Sequence, residues 1–178
     1  MELRVFIENM GAYNEGRLEG EWITLPITED ELQEVLERIG CYYVDDDGNE
    51  HNTNYEEYFF TDYECEVDID WSNYEYSSID ELNEIAEKLD DWDLELLEAA
   101  SEVYGFNYVI DNDPDDYILL PDVLTDYDLG EYYVYEVQCI DFGGNRVLEN
   151  YFDFEAYGRD IRLDGDGDFT SHGWLERY

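Results

Sequence analysis

Positive charge is what this sequence has least of. Its 178 residues include eight basic side chains against 50 acidic ones, a net charge of −42. Lys88 is the single lysine; Arg4, Arg17, Arg38, Arg146, Arg159, Arg162 and Arg177 lie toward the two ends. Between Arg38 and Arg146, 107 residues hold 32 Asp or Glu and one basic residue, so that stretch alone carries −31. Such a field repels nucleic acid and anionic lipid, and it attracts basic proteins or cations at long range. Direct binding to nucleic acid or membrane is therefore not expected. Cysteine is also scarce. Cys41, Cys65 and Cys139 are odd in number and lack CxxC spacing, which favours reduced thiols in a cytosolic protein. No window approaches the about 18 apolar residues of a membrane helix, and the start of the chain lacks a basic segment followed by an apolar run. A soluble, cytoplasmic protein is the expectation. The HExxH, P-loop, GxGxxG and GxSxG patterns are all absent. With fifty carboxylates, finding a pair of them says nothing about acid–base catalysis. The two histidines, His51 and His172, sit in turn-like surroundings and read as loop residues. No enzyme activity, cofactor or specific metal site is expected.

What the chain does have is enough apolar material for a core. Apolar residues make up 44% and aromatics 17%, with 18 Tyr, 8 Phe and 4 Trp. The charge alone would favour disorder; the aromatic content and apolar patterning in nearly every segment favour folding. Leu3 to Ile7 reads as a strand, Asn9 to Gly20 as a loop, and Glu21 to Leu25 as a second strand ended by Pro26. Thr28 and Glu31 form a capping box for a helix with the face Leu32, Val35, Leu36 and Ile39, which Gly40 ends. Cys41 to Val44 and Tyr58 to Tyr63 are further strand candidates. Ser78 and Glu81 form a second capping box, and the helical region runs to Gly105. Asp90 or Asp91 could cap a fresh helix, so one bent helix or two remain open. Phe106 to Ile110 reads as extended, and Tyr117 to Leu120 is ambiguous. From Asp126 to Ile140 composition favours strand and spacing favours helix. Val147 to Phe152 suits a short helix and Asp168 to Tyr178 a closing strand. The fold class is α+β. Its expected modules are an N-terminal α+β module with antiparallel sheet at 1–75, a central helical module at 76–105, and a C-terminal α+β module at 106–178.

The central helical stretch shows the chemistry most clearly. Leu82, Leu89, Leu96 and Val103 fall seven apart, an apolar stripe with Ile85, Ala86, Trp92, Ala99 and Ala100 beside it. A second line, Glu84, Glu87, Asp91, Glu95, Glu98 and Glu102, is spaced at threes and fours. Like charges at those spacings destabilise a helix by roughly 0.2–0.5 kcal/mol per pair, so five steps would cost about 1–2.5 kcal/mol. A solvated face in a very acidic protein accounts for that row, and so does a functional row of carboxylates. Crowding of this kind also predicts raised carboxyl pKa values.

Duplex DNA carries one negative charge per about 1.7 Å of axis, so forty-two charges at that density need roughly 70 Å. A compact chain of this size has a radius of gyration of about 16 Å and is roughly 40 Å across. Matching DNA would require an elongated string of modules. Calcium is a weaker alternative. Asp164, Asp166 and Asp168 match positions 1, 3 and 5 of an EF-hand loop, but Phe169 and Leu175 stand where Gly and Glu are needed. Asp45, Asp47, Asn49 and Glu56 match positions 1, 3, 5 and 12, with Glu50 in place of the Gly. Both read as turns, leaving an acidic calcium-responsive binding module as the second reading.

Two stretches resemble a known family. Tyr13-Asn14-Glu15-Gly16-Arg17-Leu18-Glu19-Gly20-Glu21-Trp22 is similar to the YNxGxLxGxW signature of the ArdA antirestriction proteins. Tyr151 to Asp160 (YFDFEAYGRD) resembles that family's YxDYEAYGRD segment, with Phe154 where Tyr is usual. Asp128 to Glu136 is similar to its third-module helix, and His172-Gly173 to its usual ending. The resemblance implies a DNA mimic made by mobile genetic elements, which inhibits type I restriction–modification enzymes by occupying the basic DNA channel of their methyltransferase core. It also implies three modules and a homodimer formed through the C-terminal module. The mimicking surface would consist of Asp45, Asp46, Asp47, Glu56, Glu57, Asp62, Glu64, Glu66, Asp68 and Asp70. To these the central row adds Glu84, Glu87, Asp91, Glu95, Glu98 and Glu102, and the later loops Asp111, Asp113, Asp115, Asp116, Asp122, Asp126 and Asp128. Tyr13, Asn14, Gly16, Gly20, Trp22, Tyr157, Gly158, Arg159 and Asp160 read as structural signature residues. Among them Gly16, Gly20 and Gly158 suit positive φ, and Trp22 suits the core. Arg159 and Arg162 are expected to pair with Asp160 and Asp164 or to help the dimer.

Overall fold

The computed structural model describes residues 1–45, 47–52 and 57–178. By its internal contacts the chain divides into two compact units, Met1–Trp92 and Asp93–Tyr178. The seam falls inside the stretch 76–105 that the sequence marks as helical. Both units mix helices with antiparallel sheet, as an α+β chain should.

In the first unit the elements are β1 (Leu3–Asn9), α1 (Met10–Asn14), β2 (Gly20–Leu25), α2 (Glu29–Arg38), β3 (Tyr42–Val44), β4 (Glu50–Asn52), β5 (Tyr58–Glu64) and α3 (Ile79–Leu89). The main sheet has the order β2-β1-β5, and β3 and β4 pair separately. Alternation along β1 puts Leu3, Val5 and Ile7 on the buried face, with Leu25 opposite Leu3 and Ile23 opposite Val5. Arg4 and Phe6 take the other face with Trp22. That tryptophan is half-buried, meets Phe6 edge-on at 5.5 Å and lies under the Arg4 guanidinium, so it is not a core residue. The period-2 pattern explains this: in β2 the core positions belong to Ile23 and Leu25. Both expected capping boxes form, at Thr28 with Glu31 and at Ser78 with Glu81. α3 buries Leu82, Ile85, Ala86 and Leu89. It is fastened to the chain after β2 by the Asn83 amide, which accepts from Ile27 N at 2.9 Å and donates to Ile27 O at 2.8 Å.

The second unit runs α4 (Leu94–Tyr104), α5 (Phe106–Val109), β6 (Tyr117–Leu120), α6 (Asp126–Tyr135), α7 (Arg146–Asn150), α8 (Phe154–Asp164), β7 (Gly167–Thr170) and β8 (Gly173–Arg177). Its sheet has the order β6-β8-β7. Trp174, 1% exposed, centres a core with Val123 and Leu129, packed over by Leu120, Tyr132, Tyr133, Ile161 and Phe169. Arg177 carries the last strand into a ring of tyrosines. Its guanidinium lies over Tyr104, Tyr108 and Tyr117 at 5.2–5.8 Å and donates to the Tyr108 hydroxyl at 2.6 Å.

Several expectations are corrected by this structure. The central stretch is two helices, and the second is capped by Asp93, which accepts from Leu96 N at 3.2 Å, not by Asp90 or Asp91. Phe106 to Ile110 is helical, not extended. Gly105, at φ +84°, redirects the chain, and its carbonyl accepts from Val109 N, which starts a new turn that buries Phe106, Val109 and Ile110. The closing segment is a hairpin and not one strand, because the chain reverses at Ser171-His172 and Gly173 sits at φ +131° against the Leu120 carbonyl. Gly16 has the expected positive φ of +79°, but Gly20 and Gly158 do not. Those two serve close approach instead. A Cβ on Gly20 would lie 2.5 Å from Ile7 O, and one on Gly158 would run into the Asp126 carbonyl, where α6 crosses α8. Gly130 meets the Phe154 carbonyl at the same crossing. Arg162 pairs with Asp126, Nε to Oδ1 at 2.8 Å, and not with Asp160 or Asp164. Arg159 lies only within 3.9 Å of Asp160.

Candidate functional site

Scarce cations and many carboxylates leave an accounting question: which acids the fold uses, and which it leaves to solvent. Four of the arginines are taken up by the protein's own carboxylates. Arg4 pairs with Glu64, Arg17 with Glu15 and Glu19, Arg38 with Glu21 at 2.6 Å, and Arg162 with Asp126. Tyrosine hydroxyls take over where cations are missing. Tyr63 donates to Asp68 at 3.0 Å, Tyr127 to Glu131 at 2.9 Å, Tyr135 to Glu149 at 2.9 Å, and Tyr133 to Glu176 at 2.9 Å. The sequence held a signal for this in its 18 tyrosines, yet composition pointed only to packing.

In the first unit, Asp47, Glu57, Asp62, Glu64, Glu66, Asp68, Asp70, Glu84, Glu87 and Asp91 are exposed and Asp45 is half-buried. Asp46 and Glu56 lie outside the described residues. Asp45 organises its turn. It accepts from Asp47 N, Asn49 N, the Asn49 amide and His51, the last at 2.8 Å, and these bonds hold its carboxyl down to about 2. Its oxygens are thus occupied by donors of the protein, where the EF-hand pattern would aim them at a cation. Asp70 caps a short 3-10 turn through Ser72, which lowers its pKa. Glu84, Glu87 and Asp91 make no side-chain hydrogen bond or ion pair among the described residues.

In the second unit, Glu95, Glu102, Asp111, Asp113, Asp115 and Asp122 are exposed, while Glu98, Asp116, Asp126 and Asp128 are half-buried. Asp113 caps a 3-10 turn and Asp128 accepts from Thr125 Oγ1 at 2.7 Å. Glu102 accepts from both the backbone N–H and the hydroxyl of Ser171, and those bonds lower its pKa. Next in the same hairpin tip, His172 Nε2 is 3.3 Å from Glu98 and 3.9 Å from Glu102. Neither Ser171 nor the role of His172 was visible in the sequence, because the contacts span about seventy residues.

The six-acid row is therefore divided. Glu84 and Glu87 lie on α3, Asp91 in the connection, and Glu95, Glu98 and Glu102 on α4. Three of the five like-charge steps remain within a helix, which reduces the repulsion to about 0.6–1.5 kcal/mol. Of the six-acid row, Glu102 has a resolved shift, and it is lowered by its bonds to Ser171 rather than raised. Among the described residues, every carboxyl with a resolved shift is lowered: Glu31 by Thr28, Asp45 by His51, Asp70 by Ser72, Glu102 by Ser171 and Asp126 by Arg162. At these positions hydrogen bonds to the charged form outweigh the cost of desolvation.

Among the described residues no group of three or more His, Cys, Asp or Glu is arranged to hold a metal ion, and no helix is long and apolar enough to cross a membrane. What the two units define is an acidic α+β chain whose main surface chemistry is exposed carboxylate. The model of the family described as antirestriction protein (ArdA) matches residues 5–176, and the chain belongs to that family. No curated protein matches it. Family membership makes this an antirestriction protein, one whose partner is a restriction–modification enzyme.

Proposed function

We propose that the protein inhibits type I restriction–modification enzymes by presenting carboxylates where DNA would present phosphates, occupying the basic DNA channel of the methyltransferase core. The observation that carries this reading is the division of the acids. Internal arginines and tyrosines occupy one set, while Glu84, Glu87, Asp91 and Glu95 are exposed and unpartnered among the described residues. Phosphate contacts supply sequence-independent affinity, so a mimic needs the charge pattern and no imitation of bases. The protein would act as an inhibitor without chemistry of its own, in the cytoplasm where incoming DNA meets the enzyme. The three modules expected along 1–75, 76–105 and 106–178 belong to the same proposal.

Pairing of two copies through the C-terminal module belongs to the same proposal. It is supported by apolar side chains left exposed there, including Val147 (64%), Leu148 (57%) and Tyr151 (87%). The test is competition: excess protein should displace DNA from a type I methyltransferase and stop cleavage, more strongly at low salt. Unchanged DNA binding at low salt would refute it.

A further inference from the structure

The two edges of the first unit's main sheet differ. At the β5 edge the chain covers itself: Phe60 N donates to Glu75 O at 2.9 Å, and Phe60 O accepts from Trp71 Nε1 at 3.2 Å. The β2 edge has no such cover. Asn9 N donates to Glu19 O and Met10 N to Glu57 O, so successive residues from β1 onward bond alternately toward β2 and β5. By that alternation Ile7–Glu21, Val5–Ile23 and Leu3–Leu25 are the pairs that exchange bonds, and Trp22 and Thr24 turn their N–H and C=O groups away from β1. Among the described residues, no group bonds to those outward N–H and C=O groups. The strand also lacks two common protections of a free edge, since its register with β1 is unbroken and Pro26 lies beyond its end. A groove of about 420 Å³ borders this edge. The consecutive residues Glu21 to Thr24 line it, and they point to both faces of the sheet, so the groove follows the strand's edge rather than one face. Its opposite wall is the side of α2 that carries Glu31, Glu34, Val35 and Arg38. Arg38 is bound to Glu21 and Glu31 to Thr28, while Glu34 is 76% exposed and 3.9 Å from Arg38. Val35 and Ile23, both buried, supply an apolar floor.

We propose that the β2 edge and the groove beside α2 form a docking site for an extended, basic segment of a partner protein, which joins the sheet β2-β1-β5 as an added strand. The outward N–H and C=O groups of Trp22 and Thr24 would supply the main-chain bonds, and alternate side chains of the segment the specificity. Side chains on one face of the added strand come beside Glu34 and Val35, and those on the other beside Trp22. Charge selects the occupant. Edge-to-edge pairing with a second copy would bring Glu21 and Glu34 of both chains together, whereas lysine or arginine meets them with opposite charge. The site works through the backbone of β2, not through the exposed acids of the proposed mimicry, and does not depend on that reading.

The probe is an end-capped peptide of about eight residues alternating lysine and valine, long enough to span the six residues of β2. It is compared with a copy methylated at every backbone nitrogen, which keeps the charge and loses the donors, and with a glutamate–valine peptide. Binding to the isotopically labelled full chain is read by titration and by amide hydrogen exchange. In the free protein the Trp22 and Thr24 amides should exchange faster than those of Glu21, Ile23 and Leu25. The lysine–valine peptide should slow exchange at Trp22 and Thr24, and the methylated copy should bind about tenfold or more weakly, because about two to four backbone hydrogen bonds are at stake. Thr24→Pro removes an outward N–H and keeps the ladder to β1, so it should fold and lose a similar share of the affinity. Should that variant not fold, the methylated peptide decides alone. Equal binding of the methylated copy, or binding that leaves Trp22 and Thr24 unprotected, would reduce the effect to adsorption on the net charge and overturn the proposal. So would no binding at all, or equally tight binding of the glutamate–valine peptide. No restriction enzyme enters this assay, so its failure would leave the mimicry untouched.

Discussion

α3 and α4 are each eleven residues long, each opened by a side-chain cap, and each carries acids at threes and fours beside a buried apolar stripe. Their acids meet different fates. Glu84 and Glu87 of α3 project into solvent, whereas Glu98 and Glu102 of α4 are met by a hairpin about seventy residues further along the chain. The lesson is that spacing decides which residues share a face, and tertiary contacts decide which remain available to a partner. The same contrast extends to the whole molecule, where arginine ion pairs and tyrosine hydrogen bonds occupy part of the acid and leave the rest outward.

The largest expected effect breaks the unit that contains α4. Gly158→Ala would force a Cβ into the Asp126 carbonyl at the α6–α8 crossing. Overpacking against backbone should cost roughly 3 kcal/mol or more. Hydrogen exchange should show α4 losing protection far more than α3, and equal loss in both would erase the division at Trp92–Asp93. Next come the caps. Asp93→Ala should cost about 1 kcal/mol through α4, and Ser78→Ala a similar amount through α3. Denaturant titration of both variants reads this, and a neutral Asp93→Ala would restore the single bent helix.

A smaller pair of substitutions sharpens the contrast in sign. Glu84→Gln removes repulsion from an unpartnered acid and should be neutral or stabilising, within roughly 0.5 kcal/mol. Glu102→Gln weakens the bonds to Ser171 and should lower the melting temperature. Stability against pH follows the same logic. Glu102, Asp126, Asp45, Asp70 and Glu31 all have lowered folded pKa values. Their contribution is present above the unfolded value of about 4 and is lost as pH falls through the folded values. Melting temperature should therefore drop below about pH 4, and Glu102→Gln and Asp126→Asn should each flatten that drop. At neutral pH, added salt should raise the melting temperature by screening the net charge of −42.

Much of the fold was legible because its signals are local. Thr28 with Glu31 and Ser78 with Glu81 reach only three residues, and both boxes form. The strands at Leu3 and Glu21, the stop at Gly40 and the helix beginning at Asp126 follow from short patterns or from the family signature. Some misreadings come from a neighbouring residue and others from a distant element. Phe106–Val109 is helical because Gly105 redirects the chain, and Trp22 is half-buried because β2 turns Ile23 and Leu25 inward. Gly158 is small to let α6 approach, and Arg162 reaches back to Asp126 rather than to a neighbouring acid. The candidate surface was legible as a set of exposed acids. Which of them the fold already occupies was not, since Ser171, His172 and the donor tyrosines are far away in sequence.

Competition between this protein and DNA for a type I methyltransferase core, followed from about 50 to 200 mM salt, tests the central claim most directly. The account predicts mutually exclusive binding whose affinity falls roughly tenfold or more over that range, and a further loss when Glu84, Glu87, Asp91 and Glu95 are changed together to their amides. Simultaneous binding of protein and DNA, or an affinity indifferent to salt and to those four substitutions, would contradict it.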